Sequence, residues 1–294
     1  MNVPEHGNGR GYKEEKEHGA KEFPFNIYIC SIPLDFEQVR VHWHEEMEII
    51  AVKRGRGIVT AEKETYSAKA GEMIMVFPGQ LHGIRQDGNE AMEDENIIFR
   101  PSMLAASGED VCDQRFLIPI IAQRIMSPLH VTKDMAVYGE FSRCIARLDR
   151  LSGEMGYGYQ MAVKGTLFEL LYLAFQTGKV EEEEHPKKAR ERIKQLLGYM
   201  EEHYGEPLTV EEAAALCYYS PSHFMKYFKQ YMGVPFVRYL NDYRLTKAAY
   251  FLAAGEDSVT AAAQSCGFDN LSYFNRLFRQ KFGMTPGKYR ETCR

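Results

Sequence analysis

From residue 189 onward the apolar positions recur at three- and four-residue spacing, the period of an amphipathic helix. Ile193, Leu196, Leu197 and Met200 mark one such helix over residues 189–204. Two shorter segments, 210–216 and 260–266, each follow a residue suited to cap a helix start, Thr209 and Ser258. After a tight turn comes a basic helix in each case. In the second, Phe274, Leu277, Phe278 and Phe282 share a face, and Asn275, Arg276 and Arg279 fall on the other. Asn270 or Asp269 can cap its start, and Gly283 fits the left-handed position after its last turn. A longer helix, 236–252, connects the two halves through Phe236, Leu240, Tyr243 and Phe251.

The N-terminal part keeps a different rhythm. Short alternating or wholly apolar runs at 25–31, 48–54, 57–61, 73–77, 82–85 and 96–99 predict strands. Gly55, Gly71, Pro78-Gly79 and Asp87-Gly88-Asn89 separate them. Many short strands at this spacing predict an antiparallel barrel or jelly roll. Residues 134–150 and 157–176 return to helical spacing, through Phe141, Ile145 and Leu148 and through Leu167, Leu170, Leu171 and Ala174. The pattern predicts an α+β multidomain chain. Its parts are a polar, charged, disordered tail over 1–21, with His6 and His18 solvated, a barrel over 22–132, and a helix pair over 133–178. A linker over 179–188, acidic at 181–184 and then His185-Pro186-Lys187-Lys188, leads to an all-helical domain over 189–294.

The helical domain contains an internal repeat. Ser222-His223-Phe224-Met225-Lys226-Tyr227-Phe228-Lys229-Gln230-Tyr231-Met232-Gly233 shares its Ser, both Phe, both basic positions, Gln and Gly with Ser272 to Gly283. Arg238-Tyr239 matches Lys288-Tyr289, Ala213 matches Ala263, and Tyr218 matches Phe268. Two copies are too few for a solenoid and predict two copies of one small module. A short helix, a tight turn and a second helix with a basic exposed face form a helix-turn-helix, and the DNA major groove admits one such helix.

Charge sharpens this picture. The formal net charge of −5 is divided unevenly. Residues 187–294 carry 16 Lys and Arg against 11 Asp and Glu, a net of +5, and the remainder carries 20 against 30, a net of −10. The nucleic-acid surface is therefore expected at the C-terminal end. Six scattered cysteines and the absence of a long apolar run suit reduced thiols and a cytoplasmic protein.

The second copy, from Gly267-Phe268-Asp269-Asn270-Leu271-Ser272 to Gly283-Met284-Thr285-Pro286-Gly287-Lys288-Tyr289-Arg290, resembles the DNA-binding domain of the AraC/XylS family of bacterial transcription regulators. The likeness spans residues 190 to 290. The first copy departs at Cys217, where a turn glycine is common. The resemblance implies a regulator that binds double-stranded promoter DNA through Ser222, Met225 and Lys226 of one module and Leu271, Ser272, Asn275 and Arg276 of the other. Arg276 suits guanine, Asn275 suits adenine, and Met225 and Leu271 suit thymine methyls. Lys229, Arg279, Lys281 and Arg290 suit phosphates.

Within the barrel region stand His42-Trp43-His44, Glu48 four residues on, and His82 after Phe77-Pro78-Gly79-Gln80-Leu81. This resembles the cupin fold, whose motifs bring His, His, Glu and His to a metal, here His42, His44, Glu48 and His82. Alternate residues of one strand point the same way, so His42 and His44 can converge. Imidazoles with a carboxylate suit Zn, Ni, Fe(II) or Mn. The residues leave three readings open: a bound metal, an organic effector held without metal, and structural packing. The resemblance also implies a homodimer through the helix pair, with Leu167 as an exposed contact, RNA polymerase as partner of an activator, and a carbohydrate as effector. The other functional classes are a metal-responsive regulator and a metal-dependent cupin enzyme fused to a DNA-binding module.

Overall fold

The computed structural model describes residues 13–14, 16–106, 110–125, 127–180, 187–254 and 258–293, the side chains of 187–189 excepted. The chain forms two compact units, Lys13–Lys188 and Ala189–Arg294.

The first unit is a β-barrel with helices on one face. Its strands are β1 (Phe25–Ile32), β2 (Gln38–His42), β3 (Met47–Ala61), β4 (Glu64–Lys69), β5 (Met73–Val76), β6 (His82–Gln86), β7 (Met92–Phe99) and β8 (Leu129–Val131). Strand β3 organises them. Its first half pairs with β5 and β7, in the order β1-β7-β3-β5-β8, and its second half pairs with β4 and β6, with β2 beyond β6. The two runs 48–54 and 57–61 are thus one strand passing from one sheet to the other. Gly55 lies within it at φ +70°, where an added Cβ would stand 1.8 Å from the Ala91 carbonyl oxygen. Glycine is required there because both the conformation and the close approach exclude a side chain.

The central strands are buried on both faces. Met47, Ile49 and Ala51 pack with α2 (Tyr138–Glu154) and α3 (Tyr159–Gln176) through Phe141, Ile145, Leu148, Leu167 and Leu170, beside Met73, Met75, Ile97 and Phe99. Ile50, Val52, Ile74, Val76, Ile84 and Met92 form a second cluster on the barrel's inner side. Side chains alternate along a strand, so Glu48 shares the inner side with Ile50. A short helix α1 (Ile118–Ile121) precedes β8. Strands β2, β4 and β8 and the start of β7 escaped the sequence pattern: β2 and β8 are only five and three residues long, β4 is largely exposed, and the start of β7 buries the acidic Asp94 and Glu95.

Residues 13, 14 and 16–20 correct the expected solvated tail. Lys13 forms a parallel bridge with Trp43, the Glu14 N–H donates to the Trp43 carbonyl at 2.9 Å, and His18 is only 2% exposed. Polar composition misled here, because Glu14 and His18 find charged and hydrogen-bonding partners on the barrel. Residues 1–12, with His6, and the acidic run 181–184 lie outside the described residues.

The second unit holds α4 (Lys187–His203), α5 (Val210–Leu216), α6 (Pro221–Met232), α7 (Phe236–Ala254), α8 (Val259–Ser265), α9 (Leu271–Phe282) and α10 (Pro286–Thr292). Side chains cap the starts of α5, α6, α8 and α9: Thr209, Ser220, Ser258 and Asn270 each accept from the backbone N–H three residues on. Thr209 and Glu212 complete a capping box. Gly233 and Gly283 close α6 and α9, each at φ +70°. Phe224, Phe228, Phe274 and Phe278 are wholly buried. Helix α7 serves both modules: Phe236 packs against Phe224 and Phe228, while Leu245, Ala248 and Leu252 pack with Phe274 and Phe278.

Candidate nucleic-acid interface and barrel site

Helices α6 and α9 present the residues expected to face DNA. Ser222, Lys226 and Lys229 on α6, and Leu271, Ser272, Asn275, Arg276 and Arg279 on α9, are exposed, and Met225 is half-buried. The Phe positions of both helices point the other way, into the core. On α9 the guanidinium of Arg276 lies 5.3 Å from the Tyr273 ring centre, and Tyr273 in turn accepts a hydrogen bond from Asn241 Nδ2 at 3.0 Å. Arg276 is thus poised over an aromatic face that α7 holds. A shallow groove lined by Asn275, Arg276, Arg279, Gln280 and Thr285 runs along this surface. Gln280 and Thr285 were missed in the sequence because one repeats in both copies as an ordinary helix residue and the other is a helix cap.

Lys281 is not placed as a phosphate contact. Its ammonium pairs with the Asp242 carboxylate and donates to the Asp242 carbonyl at 3.0 Å and Thr246 Oγ1 at 2.9 Å. It fastens α9 to α7. Arg244 works similarly, donating from Nε to Tyr204 O at 2.8 Å and from Nη2 to Glu206 O at 2.6 Å.

The turn pairing inferred from the repeat also shifts. The first-helix caps, Thr209 and Ser258, stand 49 positions apart, whereas the second-helix caps, Ser220 and Asn270, stand 50 apart. The second module therefore has one extra turn residue. Tyr219 corresponds to Phe268, and Tyr218, not Cys217, corresponds to Gly267: Tyr218 has φ +56° and Gly267 φ +75°. Equal spacing of the recognition helices concealed this one-residue difference.

In the barrel, His42, His44, Glu48 and His82 offer ligand atoms that all lie within 4.8 Å of one another. His42 ends β2 and is in register with His82 at the start of β6, and Glu48 sits in β3. His44 lies beyond the end of β2, so its convergence with His42 arises in the connection to β3 rather than from strand alternation. Each histidine's Nδ1 faces a backbone carbonyl: His42 to Arg40 at 2.9 Å, His44 to Glu46 at 3.1 Å, His82 to Gln80 at 2.9 Å. Carbonyls only accept, so all three Nδ1 atoms carry protons and donate. The neutral rings then turn Nε2 lone pairs inward. Glu48 Oε2 lies 3.0 Å from His44 Nε2 and 2.9 Å from His82 Nε2.

Four acceptors at such separations need a cation among them, either a proton or a metal. Where that cation is a proton on His44 or His82, burial opposes ionisation of Glu48, but donation from the protonated rings and their charge prevail and hold its carboxyl well below the usual range. Backbone carbonyls that orient imidazoles in this manner are characteristic supports of metal-ligating histidines. The donor set therefore fits a transition ion.

A second polar group lies on β7. Asp94 and Asn96 alternate onto the Glu48 side, and Asn96 Nδ2 donates to Asp94 Oδ2 at 3.0 Å and to Cys30 Sγ at 3.6 Å. Asp94 Oδ1 and Asn96 Oδ1 are buried with no hydrogen-bond partner. Burial, with nearby Glu48, raises the Asp94 carboxyl to about 7, and burial raises the Cys30 thiol to about 12. On the opposite side of β7, Glu95 pairs with Lys53, which also bridges to Asp149 of α2 at 2.9 Å.

Leu167, expected at an exposed dimer contact, is fully buried in the core. The exposed apolar residues of α3 are Met161, Phe168 and Tyr172, spaced by seven and four. Among the described residues no helix is long and apolar enough to cross a membrane.

Comparison with known proteins covers both units. The family of AraC-like ligand binding domains matches residues 26–171, and a helix-turn-helix domain family matches residues 203–292. The chain is 23% identical over 284 residues to the "Uncharacterized HTH-type transcriptional regulator YdeC" of Bacillus subtilis, covering 95% of this chain and 96% of that protein. It is 27% identical over 252 residues to the "HTH-type transcriptional activator RhaS" of Escherichia fergusonii, covering 85% and 87%. Among solved structures, a probable AraC family transcriptional regulator from Rhodopseudomonas palustris is 33% identical, covering 35% of this chain and 98% of its own, at a TM-score of 0.33.

Proposed function

The chain belongs to the AraC family of DNA-binding transcription regulators, and from that premise we propose that a divalent transition ion in the barrel controls its binding to promoter DNA. The matched families and relatives are of transcription regulators, not of an enzyme, which sets aside the cupin-enzyme alternative. The observation that carries the proposal is that three carbonyl-oriented imidazoles and Glu48 bring ligand atoms within 4.8 Å of one another, with His44 and His82 on the Glu48 carboxylate. His42, His44, Glu48 and His82 would hold the ion, and Zn, Ni, Fe(II) or Mn suits that donor set. When bound, the ion supplies positive charge that four acceptor atoms otherwise share only with a proton. It changes DNA affinity to the extent that it favours one arrangement of the protein over another.

Elemental analysis of tag-free protein beside His44→Ala tests the reading, together with DNA affinity measured by fluorescence anisotropy before and after chelation. The expected result is one ion per chain in the wild type, none in the variant, and a DNA affinity that moves with loading. No ion after incubation with Zn, Ni, Mn and Fe(II) overturns it.

A second reading rests on Asp94 and Asn96. Their unpartnered oxygens suit a small molecule rich in hydroxyl donors, such as a carbohydrate. A thermal-shift screen of sugars, wild type beside Asp94→Ala, separates this reading from the first. The remaining parts of the proposal are a homodimer through Met161, Phe168 and Tyr172 of α3 and activation by contact with RNA polymerase. Met161→Glu combined with Tyr172→Glu should then lower the mass seen by analytical ultracentrifugation; a wild-type monomer at micromolar concentration overturns the dimer.

A further inference from the structure

The four-residue site has a neighbour from outside the barrel. Trp43 lies between His42 and His44, and its carbonyl accepts from the Glu14 N–H at 2.9 Å while its backbone bridges to Lys13. Lys13 adds an ion pair to Glu45 at 3.2 Å and stands 5.2 Å from the Trp43 ring centre. This backbone pairing delivers the Glu14 side chain to the tetrad. Its Oε2 stands 3.4 Å from His42 Nε2, the ring nitrogen left over from the Nδ1 hydrogen bond to the Arg40 carbonyl. Its other oxygen stands 3.7 Å from Nε2 of His18, whose Nδ1 is 3.2 Å from the Tyr28 hydroxyl.

Charge gives this placement a purpose. Three neutral imidazoles and one carboxylate leave a divalent ion with one uncompensated positive charge. In a buried site such a residue of charge is costly, and a second carboxylate removes it. Its two oxygens, 3.4 Å from His42 Nε2 and 3.7 Å from His18 Nε2, place the Glu14 carboxylate to fill that role.

We propose that Glu14 is a further metal-binding residue of this centre, brought to it by the segment that precedes the barrel and oriented by His18. The inference rests on the metal reading above. Metal loading then neutralises the centre and ties the segment of Lys13, Glu14 and His18 to the tetrad.

The test uses the full chain, stripped with a chelator and titrated with Zn²⁺ against a chromophoric competitor and, separately, with Co²⁺ followed by visible absorption. Wild type is compared with the isosteric Glu14→Gln and with His44→Ala. Glu14→Gln should still take up one ion but ~10- to 100-fold more weakly. Its Co²⁺ bands should strengthen and shift, as expected when a carboxylate leaves the coordination shell. Zn²⁺ should protect Lys16 from trypsin in the wild type and fail to do so in the variant. Equal affinity and an identical Co²⁺ spectrum in Glu14→Gln, with wild type binding normally, overturn the role of Glu14 alone. Absence of uptake by the wild type itself overturns the metal reading and this inference with it.

Discussion

The two helix-turn-helix modules share a buried half and differ in their exposed half. Both pack a Phe pair under a recognition helix closed by glycine at φ +70°. Their first helices both begin at a hydroxyl cap and bury paired alanines, Ala213 and Ala214 in one, Ala262 and Ala263 in the other. Outside, Met225 and Lys226 stand where Asn275 and Arg276 stand in the second copy, and Pro221 replaces Leu271 at the helix start. The turns differ as well, with Tyr218 in a left-handed conformation where the second module has Gly267. Packing constrains the inner positions similarly in both. The outer positions are free to answer different base edges, so the modules are one scaffold carrying two surfaces.

The largest test of this comparison is Phe278→Ala. A cavity of that size should cost roughly 3–5 kcal/mol and abolish DNA binding by unfolding the second module. Chemical denaturation with DNA-binding assays checks it, and a folded variant that binds normally contradicts a shared buried scaffold. Arg276→Ala should cost ~1–3 kcal/mol on the cognate site and relax specificity at one base position. Equal loss on cognate and random DNA would instead make Arg276 a phosphate contact.

The turn difference yields a paired prediction. Gly267→Ala should destabilise by ~1–2 kcal/mol from its backbone conformation alone. A new Cβ would also stand 2.9 Å from both Arg244 Cζ and the Tyr204 carbonyl oxygen. Tyr218→Gly should be nearly neutral, within ~1 kcal/mol, because relief of the left-handed strain offsets the added freedom of the unfolded chain. Thermal unfolding of the two variants side by side measures the contrast; equal losses would mean that the turns are equivalent after all. The smallest effect belongs to Lys229→Ala, which should weaken cognate and random DNA alike and reduce the salt dependence of binding by ~1 in slope.

Much of this architecture was legible in the amino-acid order. Helical spacing, cap residues and a repeated aromatic–basic motif depend on neighbours within a few positions, and such local patterns survive without knowledge of the fold. The outward placement of Asn275 and Arg276 follows from the Phe positions of the same helix. Lys281 was misread because a cation on a helix looks alike whether its partner is a phosphate or Asp242 on another helix. Leu167 was misread because both sides of α3 are apolar, and only its packing on α2 and the sheet distinguishes the buried side from the stripe at Met161, Phe168 and Tyr172.

The barrel site divides along the same line. The residue types and spacing of His42, His44, Glu48 and His82 identify a cluster of donors, since imidazole and carboxylate chemistry belongs to the residues themselves. The inward tautomers do not belong to them. They follow from three backbone carbonyls, of Arg40, Glu46 and Gln80, whose directions are set by where β2, β3 and β6 begin and end. The approach of Glu14, 28 positions before His42, depends on a backbone pairing with Trp43 that polar composition conceals. Sequence by itself determined the elements, the two-module plan and the donor residues, because these rest on short-range pattern and side-chain chemistry. Tertiary structure alone decided which lone pairs face one another and which charges are paired, because hydrogen bonds and ion pairs depend on distances between elements far apart along the chain.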